Sequence, residues 1–542
     1  MQPRVSSILS AFRQQKILSM IGFLIQSPLE HYANKTPEHP AMSYQGRELS
    51  YGELNQRSNQ LAQALLDNGA QRQDRVGIYM YKGLELGVAI YGILKAGCIF
   101  VPLDPFMPAD RLSFILEDCE ITHIISSDAF SDTLNSLGER HDLNIYGIDV
   151  DSVHKTLSWS DIAQQPARCP ELPMIDLELG YIMYTSGSTG VPKGMMHTHS
   201  GSITYARWGA EHVGLKQKDR VASHAPLHFD LSIFDFFSTA QAGATVVLVP
   251  EAVTRFPASW TKTIESERIT VVFTVPHTLM SMIEKGAVAQ RDLSSLRWIL
   301  YGGEPYPPGK LRQLMLTLEG VKVTNVYGPA EAPSCTCYDV PLPPEGSNEP
   351  IPIGVVSRNS TDIIVDDNDE DCGIGQEGEL CIRSSTLMVG YWNRPDLNEN
   401  AYLFRESFGP FPAVYYRTGD RVVRQADGNL QFIGRIDRMV KVRGYRVELD
   451  EVESVLTGHS DVSEAAAFTV PDGFDSLKII AAVTLAKGAV ADTADVLRLA
   501  RKKLPPYAVP ENIELLAALP HNSSGKINRK LLAEQWIADH QA

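Results

Sequence analysis

From about residue 50 to residue 300, short apolar runs alternate with helical segments, and this alternation constrains the fold more than any other feature. The runs at residues 76–80, 244–249 and 269–275 have the length of buried strands, whereas residues 61–68 and 85–94 have helical periodicity. Strands separated by helices form largely parallel sheets with helices packed on them. The sequence therefore predicts a layered α/β body.

The pattern changes twice further along the chain. A segment rich in Pro, Glu and Ser at residues 341–353 precedes β-like runs at 362–365, 378–383 and 429–433, which indicate a smaller β-rich subdomain. Beyond residue 437, a helix at 450–457, strands at 464–470 and 479–485, and a helix at 494–503 suggest a compact α+β unit. A chain of 542 residues is too long for one core. We therefore predict a large domain over residues 1–436 and a small one over 437–542.

Charge and cysteine usage exclude several classes of protein. The formal net charge of −16 argues against nucleic acid as a partner, because phosphate binding requires basic faces. The seven cysteines are scattered without a CxxC pair, which favours a reducing compartment and makes a zinc site at Cys335 and Cys337 improbable. The apolar run at residues 17–25 resembles a signal-peptide core but lacks a cleavage site and is too short to span a bilayer. We expect a cytoplasmic protein with no membrane association.

A glycine-rich segment follows the apolar run at residues 179–184 directly. Its sequence, Thr-Ser-Gly-Ser-Thr-Gly-Val-Pro-Lys-Gly, spans residues 185–194. Glycines allow backbone N–H groups to face an anion, and the hydroxyls and Lys193 add donors and charge. The spacing is not that of a Walker loop, and a flexible linker has a similar composition. The position at the end of a strand favours a phosphate-binding loop.

Further motifs occur in a fixed order along the chain. They are Leu94-Lys-Ala-Gly-Cys-Ile-Phe-Val-Pro-Leu-Asp-Pro105, Phe229-Asp-Leu-Ser232, Asn325-Val-Tyr-Gly-Pro-Ala-Glu331, Tyr416-Arg-Thr-Gly-Asp420, Gly434-Arg-Ile-Asp437, Arg443-Gly-Tyr-Arg-Val-Glu448, Leu504-Pro-Pro-Tyr507 and Asn522-Ser-Ser-Gly-Lys-Ile-Asn-Arg529. From about residue 49 to residue 532 this set resembles the adenylate-forming superfamily. Within that superfamily it resembles the amino-acid adenylation domains of nonribosomal peptide synthesis and, among them, free-standing L-prolyl-carrier-protein ligases.

The resemblance implies an enzyme with a two-step reaction. A carboxylate attacks the α-phosphate of ATP to give an acyl-adenylate and pyrophosphate, and a phosphopantetheine thiol then accepts the acyl group. Both reactants of the first step are anions, so neutralisation of charge and positioning should dominate catalysis. The implied catalytic residue is Lys526, which would bridge the substrate carboxylate and the α-phosphate. The implied cofactors are ATP and Mg²⁺, with Glu331 as the metal ligand.

The resemblance also implies the ATP-binding residues. Asp420 would bind the ribose hydroxyls with Arg435 nearby, Tyr327 would stack on adenine, and Asn325 would bind its edge. The remaining positions lie in the glycine-rich loop and in two further turns: Thr185, Ser186, Gly187, Ser188, Thr189, Gly190, Lys193, Gly302, Gly303, Glu304 and Gly328. Within the loop, the β- and γ-phosphates would be held. Ala330 departs from the family, which often has Thr there, and removes one possible phosphate contact.

Two positions are expected to govern movement of the small domain. Asp437 matches the family's hinge, although a turn cap is the alternative. Rotation about it would bring Lys526 to the site in one orientation and the loop around Gly444 to the thiol channel in the other.

Asp230 is the residue that indicates which acid is activated. In the family an aspartate here pairs with the α-ammonium of an amino acid, and a helix N-cap is the alternative. The other implied pocket positions are mostly apolar: Leu231, Phe234, Thr274, Ile299, Tyr301, Val326, Ser334 and Cys335. Because Phe234 and Tyr301 are bulky, we expect a compact substrate, with L-proline first and small aliphatic or hydroxylated amino acids next.

The expected partner is a separate phosphopantetheinylated carrier protein, since the chain ends soon after Arg529. Residues 475–477, Asp-Ser-Leu, imitate a carrier signature but are better explained as a turn. An acyl-CoA or aryl-acid ligase of the same superfamily is the nearest alternative, and Asp230 counts against it. A catalytically silent nucleotide-binding regulator is the alternative from another class.

Overall fold

The computed structural model describes residues 22–185, 191–407, 409–473, 476–489, 491–521 and 527–540. Its strands in chain order are β1 (Pro40–Tyr44), β2 (Arg47–Ser50), β3 (Arg75–Tyr79), β4 (Ile99–Pro102), β5 (His123–Ser126), β6 (Asn144–Tyr146), β7 (Lys155–Leu157), β8 (Leu179–Thr185), β9 (Lys193–Thr198), β10 (Arg220–Ser223), β11 (Thr245–Leu248), β12 (Val271–Thr274), β13 (Trp298–Gly302), β14 (Lys322–Tyr327), β15 (Thr336–Asp339), β16 (Val355–Val356), β17 (Ser360–Val365), β18 (Glu377–Ser384), β19 (Gly390–Tyr391), β20 (Tyr402–Ser407), β21 (Gly409–Arg424), β22 (Leu430–Arg435), β23 (Met439–Val442), β24 (Tyr445–Glu448), β25 (Val462–Pro471), β26 (Leu477–Leu485) and β27 (Asn512–Leu515).

Helices connect most of these strands. They are α1 (Ser27–Lys35), α2 (Tyr51–Asp67), α3 (Leu84–Lys95), α4 (Ala109–Asp118), α5 (Ser131–Leu137), α6 (Trp159–Ile162), α7 (His199–Val213), α8 (Leu231–Ile233), α9 (Thr239–Gln241), α10 (Glu251–Thr254), α11 (Pro257–Ser266), α12 (Pro276–Lys285), α13 (Pro308–Thr317), α14 (Pro395–Asn400), α15 (Leu449–Thr457), α16 (Thr493–Lys503) and α17 (Arg529–His540). A π-helical turn, Phe234–Ser238, joins α8 to α9. Within the described ranges, none of the helices is both long and apolar enough to cross a membrane.

Two large sheets form the body of the N-terminal domain. One has nine strands in the order β16-β15-β14-β13-β12-β10-β11-β1-β2, and the other has eight in the order β19-β9-β8-β4-β3-β5-β6-β7. Their central pairs are parallel and their antiparallel pairs lie towards the edges. Parallel strands require crossover helices, which explains the alternation in the sequence. The predicted α/β class with a large layered domain is confirmed.

Hydrophobic packing holds the two sheets together. The largest core cluster contains helix α3, which is buried on all sides, together with residues of both sheets such as Tyr181 and Phe273. Its continuous apolar sequence suits a helix enclosed between layers rather than one on the surface. The core therefore lies between the sheets, and the strand ends that border it can share one site.

Smaller sheets complete the molecule. Strands β17, β18, β20, β21 and β22 form the β-rich subdomain. After β22, the chain forms the hairpin β23–β24 and then a three-stranded sheet, β25-β26-β27, covered by α15, α16 and α17. The small C-terminal α+β domain is thus present.

Candidate active site

A cavity of about 110 Å³ lies where the carboxyl ends of several parallel strands meet the C-terminal hairpin β23–β24. Strands β8, β12, β13 and β14 contribute Thr185, Phe273, Gly302 and Tyr327, and the hairpin contributes Lys441, Gly444 and Arg446. Ligands in open α/β sheets bind at such strand ends. The sequence places these residues up to 261 positions apart, from Thr185 to Arg446, and the sheet order brings them together.

The glycine-rich loop joins β8 to β9 beside this cavity. Thr185 and Lys193 are paired across the two strands, while Ser186, Gly187, Ser188, Thr189 and Gly190 lie outside the described residues. The Lys193 ammonium lies 3.4 Å from a carboxylate oxygen of Glu331 and 3.4 Å from the Tyr391 hydroxyl. Burial, and then the nearby Arg446, lower the pKa of Lys193, against the opposing effect of Glu331.

Glu331 is fully buried and surrounded by donors. Arg446 places Nη1 at 3.1 and 2.9 Å from its two carboxylate oxygens, and the Tyr391 hydroxyl donates to it at 2.8 Å. Burial alone would raise the pKa of Glu331, but Arg446 and Lys193 outweigh burial and hold that pKa well below its ordinary value. The carboxylate is therefore ionised.

The donor set fits a metal that arrives with phosphate rather than a resident metal. In the part of the chain that the structure describes, no group of three His, Cys, Asp or Glu side chains could hold an ion. A single ionised carboxylate such as Glu331 suits Mg²⁺, which is commonly held by one or two carboxylates together with substrate phosphates. When bound, the ion would neutralise charge on the phosphates.

Asp420 and Arg435 form the other end of the cavity. Arg435 donates from Nη1 to an oxygen of Asp420 at 2.8 Å, and the hydroxyl of Tyr327 donates to the second oxygen. Arg435 also pairs with Asp437, with Nε 2.8 Å from Oδ1. The three side chains expected at the ribose and the hinge are therefore joined in one network, and Asp437 also accepts a hydrogen bond from the backbone N–H of Met439 at 3.2 Å, as a turn cap does.

Two expected adenine and phosphate contacts engage other groups. The amide of Asn325 donates to the carbonyl of Pro352 at 2.8 Å, and Asn325 does not line the cavity. Glu304 accepts a hydrogen bond from the backbone N–H of Gly444. Gly302, Gly303 and Gly328 line the cavity.

Asp230 lies at the cavity wall, immediately before α8. It occupies the N-cap position, yet its side chain makes no capping hydrogen bond. Burial raises the pKa of Asp230, and the ammonium of Lys441 opposes that shift. The carboxylate borders the cavity, and Lys441 and the backbone N–H groups at the start of α8 partly compensate its charge.

The structure brings only some of the expected pocket residues to the cavity. Leu231, Val326 and Ser334 line it. Phe234 is fully buried behind it, with its ring 5.5 Å from that of Phe273 in an edge-to-face arrangement. Cys335 is also buried, with its thiol directed to the carbonyl of Tyr327.

On strand β13, the two residues that the motifs imply as pocket positions lie on the face away from the cavity. Ile299 and Tyr301 belong to the core cluster on the outer side of the nine-stranded sheet, whereas Leu300 belongs to the cluster between the sheets and Gly302 lines the cavity. Alternate residues of a strand point to opposite faces, so a shift of one position exchanges the two sets. Tyr301 therefore packs against Tyr306 and does not narrow the cavity.

The same alternation displaces the expected position on β12. Thr274, which is paired with Tyr301, lines a separate cavity, and its hydroxyl lies 3.2 Å from Nδ1 of His224. Phe273 lines the candidate site instead. Thr274, Ile299 and Tyr301 are thus not among the residues that line this cavity.

Several residues at the cavity have no role in the sequence analysis. Met183 and Tyr205 line it from β8 and α7, and Lys441 and Arg446 line it from the hairpin. Lys441 and Arg446 are directly opposite in the β23–β24 register. Two cations that face each other across the two strands of a hairpin are a feature that could have been noticed in the sequence.

The hairpin's position defines the orientation of the C-terminal domain. Gly444 has φ of +85°, and a Cβ there would lie 2.7 Å from a methyl of Val275. Gly444 also borders a second cavity, of about 620 Å³, which is lined by Val275 and Trp260 and adjoins the first at Phe229 and Leu231. Phe229 in turn packs edge-to-face on Tyr445. Lys526 lies outside the described residues.

Comparison with known proteins agrees with this architecture. Residues 29–392 match the family described as AMP-binding enzyme, and residues 451–526 match its C-terminal domain. The chain therefore belongs to the AMP-binding enzyme family. It is an adenylate-forming ligase, as its sequence motifs indicate.

Individual relatives are similar over most of this chain. It is 32% identical over 512 residues to an L-proline–[L-prolyl-carrier protein] ligase of Pseudomonas fluorescens, covering 94% of this chain and 99% of the relative. It is 33% identical over 511 residues to tyrocidine synthase 3 of Brevibacillus parabrevis, covering 94% of this chain but 8% of that protein. The amide bond synthetase McbA from Marinactinospora thermotolerans superposes with a TM-score of 0.83 at 25% identity, covering 95% and 99% of the two chains.

Proposed function

We propose that this ligase activates an amino acid, with L-proline as the first candidate, as an aminoacyl-adenylate and then transfers it to the phosphopantetheine thiol of a separate carrier protein. The observation that carries the proposal is the Asp230 carboxylate, which lies without a capping hydrogen bond at the wall of a small cavity to which Leu231, Phe273 and Val326 contribute apolar side chains. A buried carboxylate requires a cationic partner, and an α-ammonium or a secondary ammonium supplies one.

The size of the cavity supports a compact side chain. Leu231, Phe273 and Val326 give apolar walls, and Ser334 adds one hydroxyl. The relative from Pseudomonas fluorescens is named for L-proline and a prolyl carrier protein, and the alignment covers nearly the whole of both chains. Proline fits these walls because its side chain is short, apolar and closed on its own nitrogen.

The ATP would lie between the glycine-rich loop and the Asp420 network. Lys193 at the end of the loop and Glu331 would be adjacent to the phosphates, with magnesium as the ion that Glu331 holds. Asp420, held by Arg435 and Tyr327, would receive the ribose hydroxyls. Lys526 is proposed as the lysine that neutralises the substrate carboxylate and the α-phosphate during the first step.

The thiol would reach the adenylate through the cavity beside Gly444. That cavity has about 620 Å³ and its apolar walls include Val275 and Trp260, which suit a slender pantetheine arm. The hairpin position described above is the one expected for thiol transfer, since Gly444 borders the site. Asp437 is proposed as the hinge for the exchange of orientations.

A pyrophosphate-exchange panel tests the proposal. Purified enzyme is assayed with ATP, Mg²⁺ and each of the amino acids, with aryl and short aliphatic acids as the alternative class. We expect L-proline to give the highest kcat/KM, and Asp230→Asn to lower that value by at least about 100-fold, because a charge-paired contact is lost at the reacting substrate. Thermal unfolding of the variant is the control for folding.

Two results would contradict the proposal at different levels. Exchange with an aryl or fatty acid and with no amino acid would identify an acid–CoA ligase. Exchange with another amino acid but not with proline would reject the assignment of the substrate and keep the reaction. Transfer of radiolabelled amino acid to a phosphopantetheinylated carrier, compared with free coenzyme A, distinguishes the two thiol acceptors.

A further inference from the structure

Arg446 holds a position that the proposed reaction by itself does not require. It belongs to strand β24 of the C-terminal domain, yet its guanidinium contacts both carboxylate oxygens of Glu331 in the N-terminal domain, at 2.9 and 3.1 Å. Glu331 is the residue proposed to hold magnesium during formation of the adenylate. The Glu331 carboxylate thus has two candidate partners besides Lys193, namely Arg446 and magnesium.

The two cations cannot share this carboxylate easily. Glu331 is fully buried, and Lys193 at 3.4 Å already supplies one positive charge. A divalent ion bound to the same oxygens would lie within a few ångströms of the Arg446 guanidinium, where water screens repulsion poorly. If neither Arg446 nor the divalent ion were bound, the buried Glu331 carboxylate would have only Lys193 to compensate its charge.

We propose that the Arg446 guanidinium and magnesium are alternative partners of Glu331, so that a bound metal opposes the seating of hairpin β23–β24 in the cleft. The inference rests on the proposed function, since it names the contact that replaces the metal at Glu331 between the two steps. Arg446 is a positioning residue in this scheme: it holds the domain in the orientation for thiol transfer and touches no reacting atom.

Other contacts of hairpin β23–β24 also hold it in the cleft. Lys441, opposite Arg446 on β23, lines the same cavity as Asp230 and Asp420, whose charges oppose the lowering of its pKa by burial. The Gly444 N–H donates to Glu304. The hairpin therefore brings two cations and a backbone donor to the cleft, and of these Arg446 is the one that contacts the proposed metal ligand Glu331.

A crosslinking experiment measures the orientation without any turnover. The Lys503 ammonium lies 2.7 Å from an Asp110 oxygen across the domain interface, and both side chains are 46% exposed. In an Asp110→Cys, Lys503→Cys double variant, a short bismaleimide joins the two domains only in this orientation. Single-cysteine variants give the background from the native cysteines, and mass spectrometry identifies the crosslinked peptides.

We expect magnesium with pyrophosphate to lower the crosslinking yield by at least about threefold, because the metal competes with Arg446 for Glu331. Pyrophosphate with EDTA should leave the yield high. Adding Arg446→Gln should make the yield low before any metal is present, and Arg446→Lys, which keeps the charge, should restore part of it.

Arg443→Gln is the matched control. It removes the same charge from the same hairpin, but Arg443 pairs with Asp472 and Glu511 inside the C-terminal domain. Its crosslinking yield should respond to magnesium and pyrophosphate as the parent does. In activity assays, Arg446→Gln should lower the ratio of aminoacyl transfer to pyrophosphate exchange by about tenfold.

Two outcomes would overturn the inference. One is a crosslinking yield that is the same with and without magnesium and pyrophosphate. The other is an Arg446→Gln variant whose yield and metal response equal those of the parent. Because crosslinking needs no amino acid, its result stands apart from the exchange panel: absence of exchange with every acid would reject the proposed function and leave this measurement interpretable.

Discussion

Single side chains set the chemistry of the cleft through burial. Glu331 is fully buried and Asp230 and Lys441 are partly buried, so burial and neighbouring charges together set the pKa of each side chain. Residue identity alone predicts an acidic or basic group. Whether that group is paired, and with which partner, depends on what the fold places beside it.

The side chains of β13 and β14 give a prediction about specificity. Val326→Leu adds one methylene to the cavity wall and should raise KM for the preferred amino acid at least about tenfold, since one methylene of misfit is worth about 1–3 kcal/mol. Tyr301→Phe should leave KM within about twofold, because Tyr301 faces the outer core. Steady-state exchange kinetics on both variants provide the comparison.

The Tyr301 variant also carries a stability readout. Among the contacts of the described residues, the Tyr301 hydroxyl is buried without a hydrogen-bond partner. Its removal should leave the free energy of unfolding unchanged or increase it. A large rise in KM for Tyr301→Phe would instead indicate that Tyr301 forms part of the substrate pocket.

Two buried histidines predict how stability depends on pH. Burial lowers the pKa of His197 and of His199 to about 4, from an ordinary 6.5. The unfolded chain therefore binds more protons below pH 6.5, so stability is complete above that value and falls as pH decreases toward 4. Between pH 7.5 and 5.5 each should remove about 1 kcal/mol of unfolding free energy.

Urea unfolding at those two pH values measures the effect. His197 stacks on Tyr181 at 4.8 Å, so His197→Phe retains an aromatic ring there and should reduce the pH dependence by about one histidine's share, roughly 1 kcal/mol. An unchanged pH dependence in the variant would show that His197 titrates normally in the folded protein.

At the scale of elements, strand alternation explains which sequence expectations the geometry meets. The two helices and two strands predicted beyond residue 437 lie within a few residues of their predicted bounds, because each has strong local periodicity. Motif order implies the pocket positions on β12 and β13, but it does not fix which face of a strand meets a cavity. If the residue of β13 that meets the cavity is Gly302 and not Tyr301, the cavity wall there has no bulky side chain.

The turn of hairpin β23–β24 provides the element-scale prediction. Gly444→Ala introduces a Cβ that would lie 2.7 Å from Val275 at a φ of +85°, so the hairpin cannot seat fully in the cleft. Thiol transfer should fall about tenfold more than pyrophosphate exchange. Both rates are measured on the same preparation.

Gly428→Ala is the control that distinguishes backbone strain at a positive φ from steric contact with Val275. Gly428 has φ of +88° in the turn between β21 and β22, but nothing lies within 4 Å of its added Cβ. It should cost stability through backbone strain and leave the ratio of the two rates unchanged. Equal effects of both variants on that ratio would mean that contact with Val275 is not what matters.

At the scale of the whole molecule, contacts between domains stabilise the orientation seen here. Arg111 on α4 donates to Glu451 on α15 at 2.5 Å, and the side chains are 9% and 2% exposed. Burial raises the pKa of Glu451, and Arg111 opposes that shift. A buried carboxylate that loses its partner is strongly destabilised, so this pair should favour the present orientation over others.

Arg111→Gln should therefore reduce thiol transfer relative to pyrophosphate exchange by at least about tenfold, since the interface loses a buried charge pair. Lys503→Gln is the matched control, because its pair with Asp110 is exposed and worth little. Half-reaction assays on both variants check the expectation. A transfer-to-exchange ratio that Arg111→Gln leaves intact would show that the buried pair does not select the orientation.

The sequence by itself determined the α/β class, the presence of a small C-terminal domain and the family, because periodicity and ordered motifs are local properties of the chain. Only the tertiary structure decided which face of β13 meets the cavity, that Asp230 is free of a capping bond, and that Arg446 meets Glu331 across 115 positions. Those outcomes depend on sheet register and on domain orientation. Both arise from contacts between residues far apart in sequence, which no local pattern contains.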